Sequence, residues 1–104
     1  MTNFSDMLSK AKIMQDKMKE AQEQIKKIEV EGKAGGNLVT VTLTGDYELK
    51  SISISDEAKK EDQEIINDLI KAAYNNARDY LKKKSSEELA KVTGGLNLPL
   101  DFKL

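Results

Sequence analysis

Apolar residues in the first quarter of the chain recur at Phe4, Met7, Ala11, Met14, Met18, Ala21, Ile25 and Ile28, in alternating steps of three and four. A helix gathers such positions into one stripe, and a seam held over several heptads is the pattern of lengthwise packing against another helix. A helix is therefore predicted over 4–29. Asn3 stands at its N-cap, and Asp6 lies near the positive end of its dipole. At 1.5 Å per residue it would be roughly 40 Å long. The period then changes to two. Val39, Val41 and Leu43 alternate with Thr40, Thr42 and Thr44, as in a strand with one buried face.

Three strands are predicted, at about 29–33, 38–44 and 47–54, joined by turns at Ala34-Gly35-Gly36-Asn37 and Gly45-Asp46. The third alternates less cleanly, because Ile52 and Ile54 share a face with Glu48 and Lys50. Ser55-Asp56-Glu57-Ala58 reads as a capped short turn. A second long helix over about 62–84 carries Ile66, Ile70, Ala73, Ala77 and Tyr80 at steps of four and three. Ser85 and Glu88 have capping-box spacing, so a short separate helix is predicted at 86–93, ended by Gly94-Gly95. Residues 94–104, with the one proline at Pro99, read as an irregular apolar tail. The fold class is α+β in a single domain over 1–104: helix, three-stranded antiparallel meander, long helix and short C-terminal helix. One face of the meander must pack on a helix.

A chain of 104 residues with 34% charged and 5% aromatic residues builds only a thin core. Met7, Met14, Met18, Val39, Val41, Leu43, Ile66, Ile70 and Tyr80 form a core or dimer seam with more apolar surface than one small sheet and two helices cover. A closed two-fold dimer with projecting helices is the expected outcome. The chain has no Cys and no His, which removes disulfides, thiolate chemistry, the usual general base and the commonest transition-metal ligand. No enzyme activity, cofactor, metal or small-molecule substrate is expected. No apolar run approaches the ~20 residues of a membrane span, and the first residues lack a basic stretch followed by an apolar one. A cytoplasmic location and no membrane partner are expected.

The formal charge of −1 conceals a segregated distribution. Residues 1–19 hold Lys10, Lys12, Lys17 and Lys19 for a net +2; residues 56–70 sum to −4; residues 71–84 hold Lys71, Arg78, Lys82, Lys83 and Lys84 for a net +4. If the two long helices pack antiparallel, both positive segments lie side by side at a distal tip of +6, which a dimer doubles to +12. Acid at the start of the second helix and base at its end also suit the macrodipole. That does not explain four lysines near the start of the first helix, the unfavourable end. That mismatch points to a phosphate-binding surface.

Other clusters read more plainly. Met7, Met14 and Met18 suit flexible core filling rather than a ligand box. Asp56, Glu57, Glu61, Asp62 and Glu64 lack the spacing of a calcium loop. Gly35-Gly36 and Gly94-Gly95 lack the context of a nucleotide loop and read as turns. Asn75 and Asn76, poor helix formers at mid-helix, could read base edges or cap a neighbour.

Several stretches together carry a family resemblance: Met14-Gln15-Asp16-Lys17-Met18, Gly35-Gly36-Asn37-Leu38-Val39-Thr40-Val41 with Gly45 after it, Ala72-Ala73-Tyr74-Asn75-Asn76-Ala77, and Thr93-Gly94-Gly95-Leu96-Asn97-Leu98-Pro99. Over nearly the whole chain, and in this order, the sequence resembles the YbaB/EbfC family of bacterial nucleoid-associated proteins. The resemblance implies a homodimer with a central sheet and projecting helices that binds DNA in the nucleoid. Departures are Asn37 in place of a frequent third glycine, which Asn can replace at positive φ, Ser55-Asp56-Glu57 in place of Ile-Asp-Pro, and Leu100-Asp101 after Pro99. The helix–strands–helix order also resembles prefoldin subunits. A chaperone or adaptor of that kind would expose apolar residues at its helix tips, whereas the tip expected here carries Lys10, Lys12, Lys82, Lys83 and Lys84, with Phe4 and Leu8 the main apolar exceptions.

Overall fold

The structure is a computed structural model, and it describes residues 3–95. Asn3 caps the first helix, its side chain accepting from the Asp6 N–H at 2.8 Å. α1 runs Phe4–Lys26, three residues short of the predicted end. Its last turn tightens as the N–H groups of Lys27 and Ile28 reach back to the carbonyls of Gln24 and Ile25. From Glu29 the alternation of Val30, Gly32 and Ala34 with charged residues takes the chain into β1 (Glu29–Ala34). β2 is Val39–Thr44 and β3 is Leu49–Ile54. The three strands form an antiparallel sheet in the order β1-β2-β3.

The irregular third strand has a geometric cause. Thr42 pairs with Ser51 and Leu43 with Leu49, so Lys50 is an extra residue in a β-bulge. The slip moves Leu49 onto the face shared by Ile52 and Ile54. β3 starts at residue 49 instead of 47 because the turn after β2 takes up Tyr47, whose φ is 63°. The Thr44 hydroxyl accepts from the Asp46 and Glu48 N–H groups across that turn. In the first turn Gly35 and Gly36 hold the positive φ angles, and Asn37 does not.

Ser55 caps the four-residue α2 (Asp56–Lys59), accepting from the Ala58 N–H at 3.1 Å. α3 then runs unbroken over Gln63–Gly95. The expected interruption at Ser85 is absent, and the residues assigned to a separate helix at 86–93 continue the long one. Lys82–Lys84 and Glu87–Leu89 are good helix formers on either side of Ser85, and Glu88 and Val92 gain cover there that a break would forfeit. Residues 94 and 95, assigned to the tail, close this helix; the rest of the predicted tail, 96–104, lies outside the described residues.

α3 lies across β1 and β2, and burial follows from that placement. Val39, Val41, Leu43, Ala58, Ala73, Ala77 and Leu81 are wholly buried, with Val30 and Ala34 nearly so. Backbone meets backbone at Gly32: a Cβ there would stand 2.1 Å from the Ala73 carbonyl oxygen and 2.2 Å from the Ala77 nitrogen. Small residues on both sides make that approach possible. The opposite face of the sheet carries the threonines of β2 and an ion pair between Lys50 and Glu29. Tyr80, expected on the seam, is 55% exposed, because Ala73, Ala77 and Leu81 turn the helix so that Leu81 points inward.

Candidate nucleic-acid interface

Two long helices leave one end of the sheet as a hairpin. α1 ends there, with the Ile25 carbonyl packed against Gly45. α3 passes Leu69 beside Gly35, Ala73 and Ala77 over Gly32, then Leu81 in the core, and continues outward to Glu88, Lys91 and Val92. These last residues share a cleft with Lys17, Glu20, Ala21, Glu23 and Gln24 of α1. Moving away from the sheet, α1 thus runs backward in sequence and α3 forward. The helices are antiparallel, as expected, and the molecule is 70 Å long and 22 Å by 16 Å in section.

The positive residues do not gather at the tip of that hairpin. Lys71 and Arg78 lie on the stretch of α3 that covers the sheet, and Lys82, Lys83 and Lys84 follow Leu81 at the waist where the hairpin begins. The distal arm of α3, longer than the sequence predicts, brings Glu88, Lys91 and Val92 alongside α1. Along α3, Lys71 to Lys84 spans about 20 Å at 1.5 Å per residue. On α1, Lys10 and Lys17 form one heptad row and Lys12 and Lys19 another. All of these lysines are exposed. The cations are therefore strung along both arms in a strip that wraps α1, its Lys10/Lys17 and Lys12/Lys19 rows lying on different sides of that helix, with three consecutive lysines at the waist.

Within that strip the groups differ. Lys84 sits over the outward-facing Tyr80 ring, its Nζ 5.5 Å from the centroid. Arg78 is half-buried and reaches Asp79 at 3.5 Å, while its Nε is shielded from solvent and unpartnered. Lys17 stands beside Glu20, Glu23 and Glu88. Lys26 and Lys27 went unremarked in the sequence; the last turn of α1 brings them to the waist, the level of Lys82–Lys84. Their signal was present, since basic residues at a helix C-terminus are common, but only the hairpin geometry adds them to the strip. Asn76 caps a neighbour: its Nδ2 donates to the Lys33 carbonyl at 2.8 Å.

The apolar seam residues also divide. Val39, Val41 and Leu43 are core, Met14, Met18, Ile66 and Ile70 are half-buried, and Met7 is 59% exposed. A groove floored by Val41 opens between Leu49 and Ile52 of β3 and Ile70 and Tyr74 of α3, rimmed by Lys71 and Asn75. Among the described residues, no group of three or more acidic side chains could hold a metal ion, and no helix is long and apolar enough to cross a membrane.

The chain is similar to known proteins over its length. A nucleoid-associated protein of Rickettsia canadensis is 43% identical over 105 residues, covering 100% of this chain and 98% of its own. One from Afipia carboxidovorans is 44% identical over 100 residues, covering 95% of each. The fold matches the crystal structure of an uncharacterized protein from Helicobacter pylori, with a TM-score of 0.71 and 23% identity over 86% of this chain and 95% of that one. The model of the YbaB/EbfC DNA-binding family matches residues 1–96, and the chain belongs to that family.

Proposed function

We propose that this protein binds duplex DNA in the bacterial nucleoid as a homodimer, through phosphate contacts from lysines on α1 and α3, and thereby organises the nucleoid and influences transcription. The strip of exposed lysines along the hairpin carries this reading. Long flexible lysines suit phosphates that demand no fixed geometry, whereas a single arginine offers little bidentate guanine readout. Lys82, Lys83 and Lys84 with Lys26 and Lys27 are its centre; Lys10, Lys12, Lys17 and Lys19 extend it outward, and Lys71 and Arg78 extend it over the sheet. A cytoplasmic location follows from the same reading.

The homodimer is supported by the open inner face of β3. Leu49 is 51% and Ile52 42% exposed beside half-buried Ile70 and Tyr74, a contiguous apolar surface that a second copy would cover.

Titration of random duplex DNA at two salt concentrations tests the reading. If a dimer neutralises about 4–8 phosphates, log K falls against log salt with a slope of roughly −4 to −7. Replacing Lys82, Lys83 and Lys84 together by Gln weakens binding on every duplex and flattens the slope by up to about one unit per lost contact. Affinity indifferent to salt refutes the mechanism, and sedimentation equilibrium showing only an 11.6 kDa species refutes the dimer.

A further inference from the structure

The apolar seam of α1 is covered at one end only. Ala21 is 5% exposed and Met14, Met18 and Ile25 are half-buried, whereas Phe4 is 73%, Met7 59% and Leu8 56% exposed. Phe4, Met7, Leu8 and Ala11 have the spacing of one continuous helix face. The gradient follows from the length of α3. Val92 stands beside the stretch Lys17–Gln24. Three further residues advance the helix by about 4.5 Å, so Gly95 falls opposite the Met14–Met18 stretch, and among the described residues no helix stands beside the outer half of the seam.

The chain continues from that point for nine residues, and their sequence is patterned. Leu96, Leu98, Leu100, Phe102 and Leu104 alternate with Asn97, Pro99, Asp101 and Lys103. A period of two gives an extended segment one apolar edge, and Pro99 disfavours continuation of the helix. Nine extended residues reach up to about 30 Å, while Phe4 to Met14 spans only about 15 Å of helix. Where the described residues end, α3 points along the uncovered face.

We propose that residues 96–104 dock their apolar edge on the Phe4-Met7-Leu8-Ala11 face of α1 in the same chain, completing the hairpin that α3 leaves unfinished. The docked tail brings the outer half of α1 under cover without a second protein. It also holds the arm that bears Lys10 and Lys12 against the rest of the molecule.

Because the chain has no cysteine, a pair introduced into the full-length protein reports one contact at a time. Leu8→Cys is combined in turn with Leu98→Cys, Leu100→Cys and Phe102→Cys, and each pair is oxidised at low protein concentration. At least one combination is expected to close a disulfide within a single chain, read as a faster band on a non-reducing gel and by mass. In parallel, the full-length Leu98→Asn, Leu100→Asn, Phe102→Asn variant is exposed to peroxide. Met7 is expected to oxidise about threefold faster or more than in the parent, with half-buried Met14 and Met18 unchanged as internal controls. If all three methionines speed up together, the variant has lost its fold, and the disulfide result alone decides. Disulfides formed only between chains place a second copy on the face and overturn the proposal. So does the absence of any disulfide, or an unchanged Met7 rate in a folded variant.

Discussion

Replacing Gly32 by Ala adds a single methyl group at a point where the backbones of β1 and α3 touch. The new Cβ would lie 2.1 Å from the Ala73 carbonyl oxygen, 2.2 Å from the Ala77 nitrogen and 2.7 Å from the Ala77 Cα. None of these atoms belongs to a flexible side chain, so no rotamer change relieves the overlap. Restoring a tolerable separation requires α3 to retreat by about 1 Å, which loosens the packing of Ala73, Ala77 and Leu81 on Val30, Val39 and Val41 together. Overpacking of this kind costs typically 1–3 kcal/mol, and the rigid opposing atoms place Gly32→Ala near about 3 kcal/mol. At about 4–8 °C per kcal/mol for a domain of this size, the melting midpoint falls by about 12–24 °C. Gly36→Ala is the control. Gly36 has φ 72° and nothing within 4 Å of its added Cβ, so only backbone strain of about 1 kcal/mol applies. Both variants are compared with the parent by thermal melts followed by circular dichroism at one protein concentration, since association shifts the midpoint. A Gly32→Ala loss no larger than that of Gly36→Ala refutes the close approach of α3 to β1.

Three further outcomes follow from single contacts. Tyr47→Gly removes a left-handed conformation that costs a bulky residue about 1–2 kcal/mol, offset in part by chain entropy, so urea unfolding shows a gain of about 0.5 kcal/mol. Asn76→Ala deletes the bond to the Lys33 carbonyl and lowers stability by about 1 kcal/mol in the same assay, with faster amide exchange expected near the end of β1. Lys50→Ala breaks the ion pair with Glu29, but both side chains are about half exposed, so its cost stays under about 1 kcal/mol and shrinks with added salt.

Local pattern and long-range geometry contributed differently to what the sequence disclosed. Val39, Val41 and Leu43 announced β2 and its buried face because alternation is a local property, and all three are wholly buried. β3 resisted, because the bulge at Lys50 reverses the alternation and depends on pairing with β2, not on neighbours in sequence. Ser85 and Glu88 carried a true helix-start spacing that tertiary cover overrode. The charges of the candidate interface were legible as totals. Their arrangement was not, because the separation of Lys82–Lys84 from Lys10 and Lys12 depends on how far α3 runs past the waist. Lys26 and Lys27 escaped notice for the same reason: only the crossing of α1 at Gly45 brings them to that level.

The bulge at Lys50 also bears on how the protein avoids polymerising. β3 is an edge strand whose inner face is exposed and apolar, the profile of a template for endless strand addition. The extra residue interrupts the regular ladder, twists the strand and places a lysine in the middle of the edge. A second strand could pair only over a short stretch before its register failed. The fold thus keeps a sticky surface available for a finite partner while denying it the flat, repeating edge on which a fibril grows.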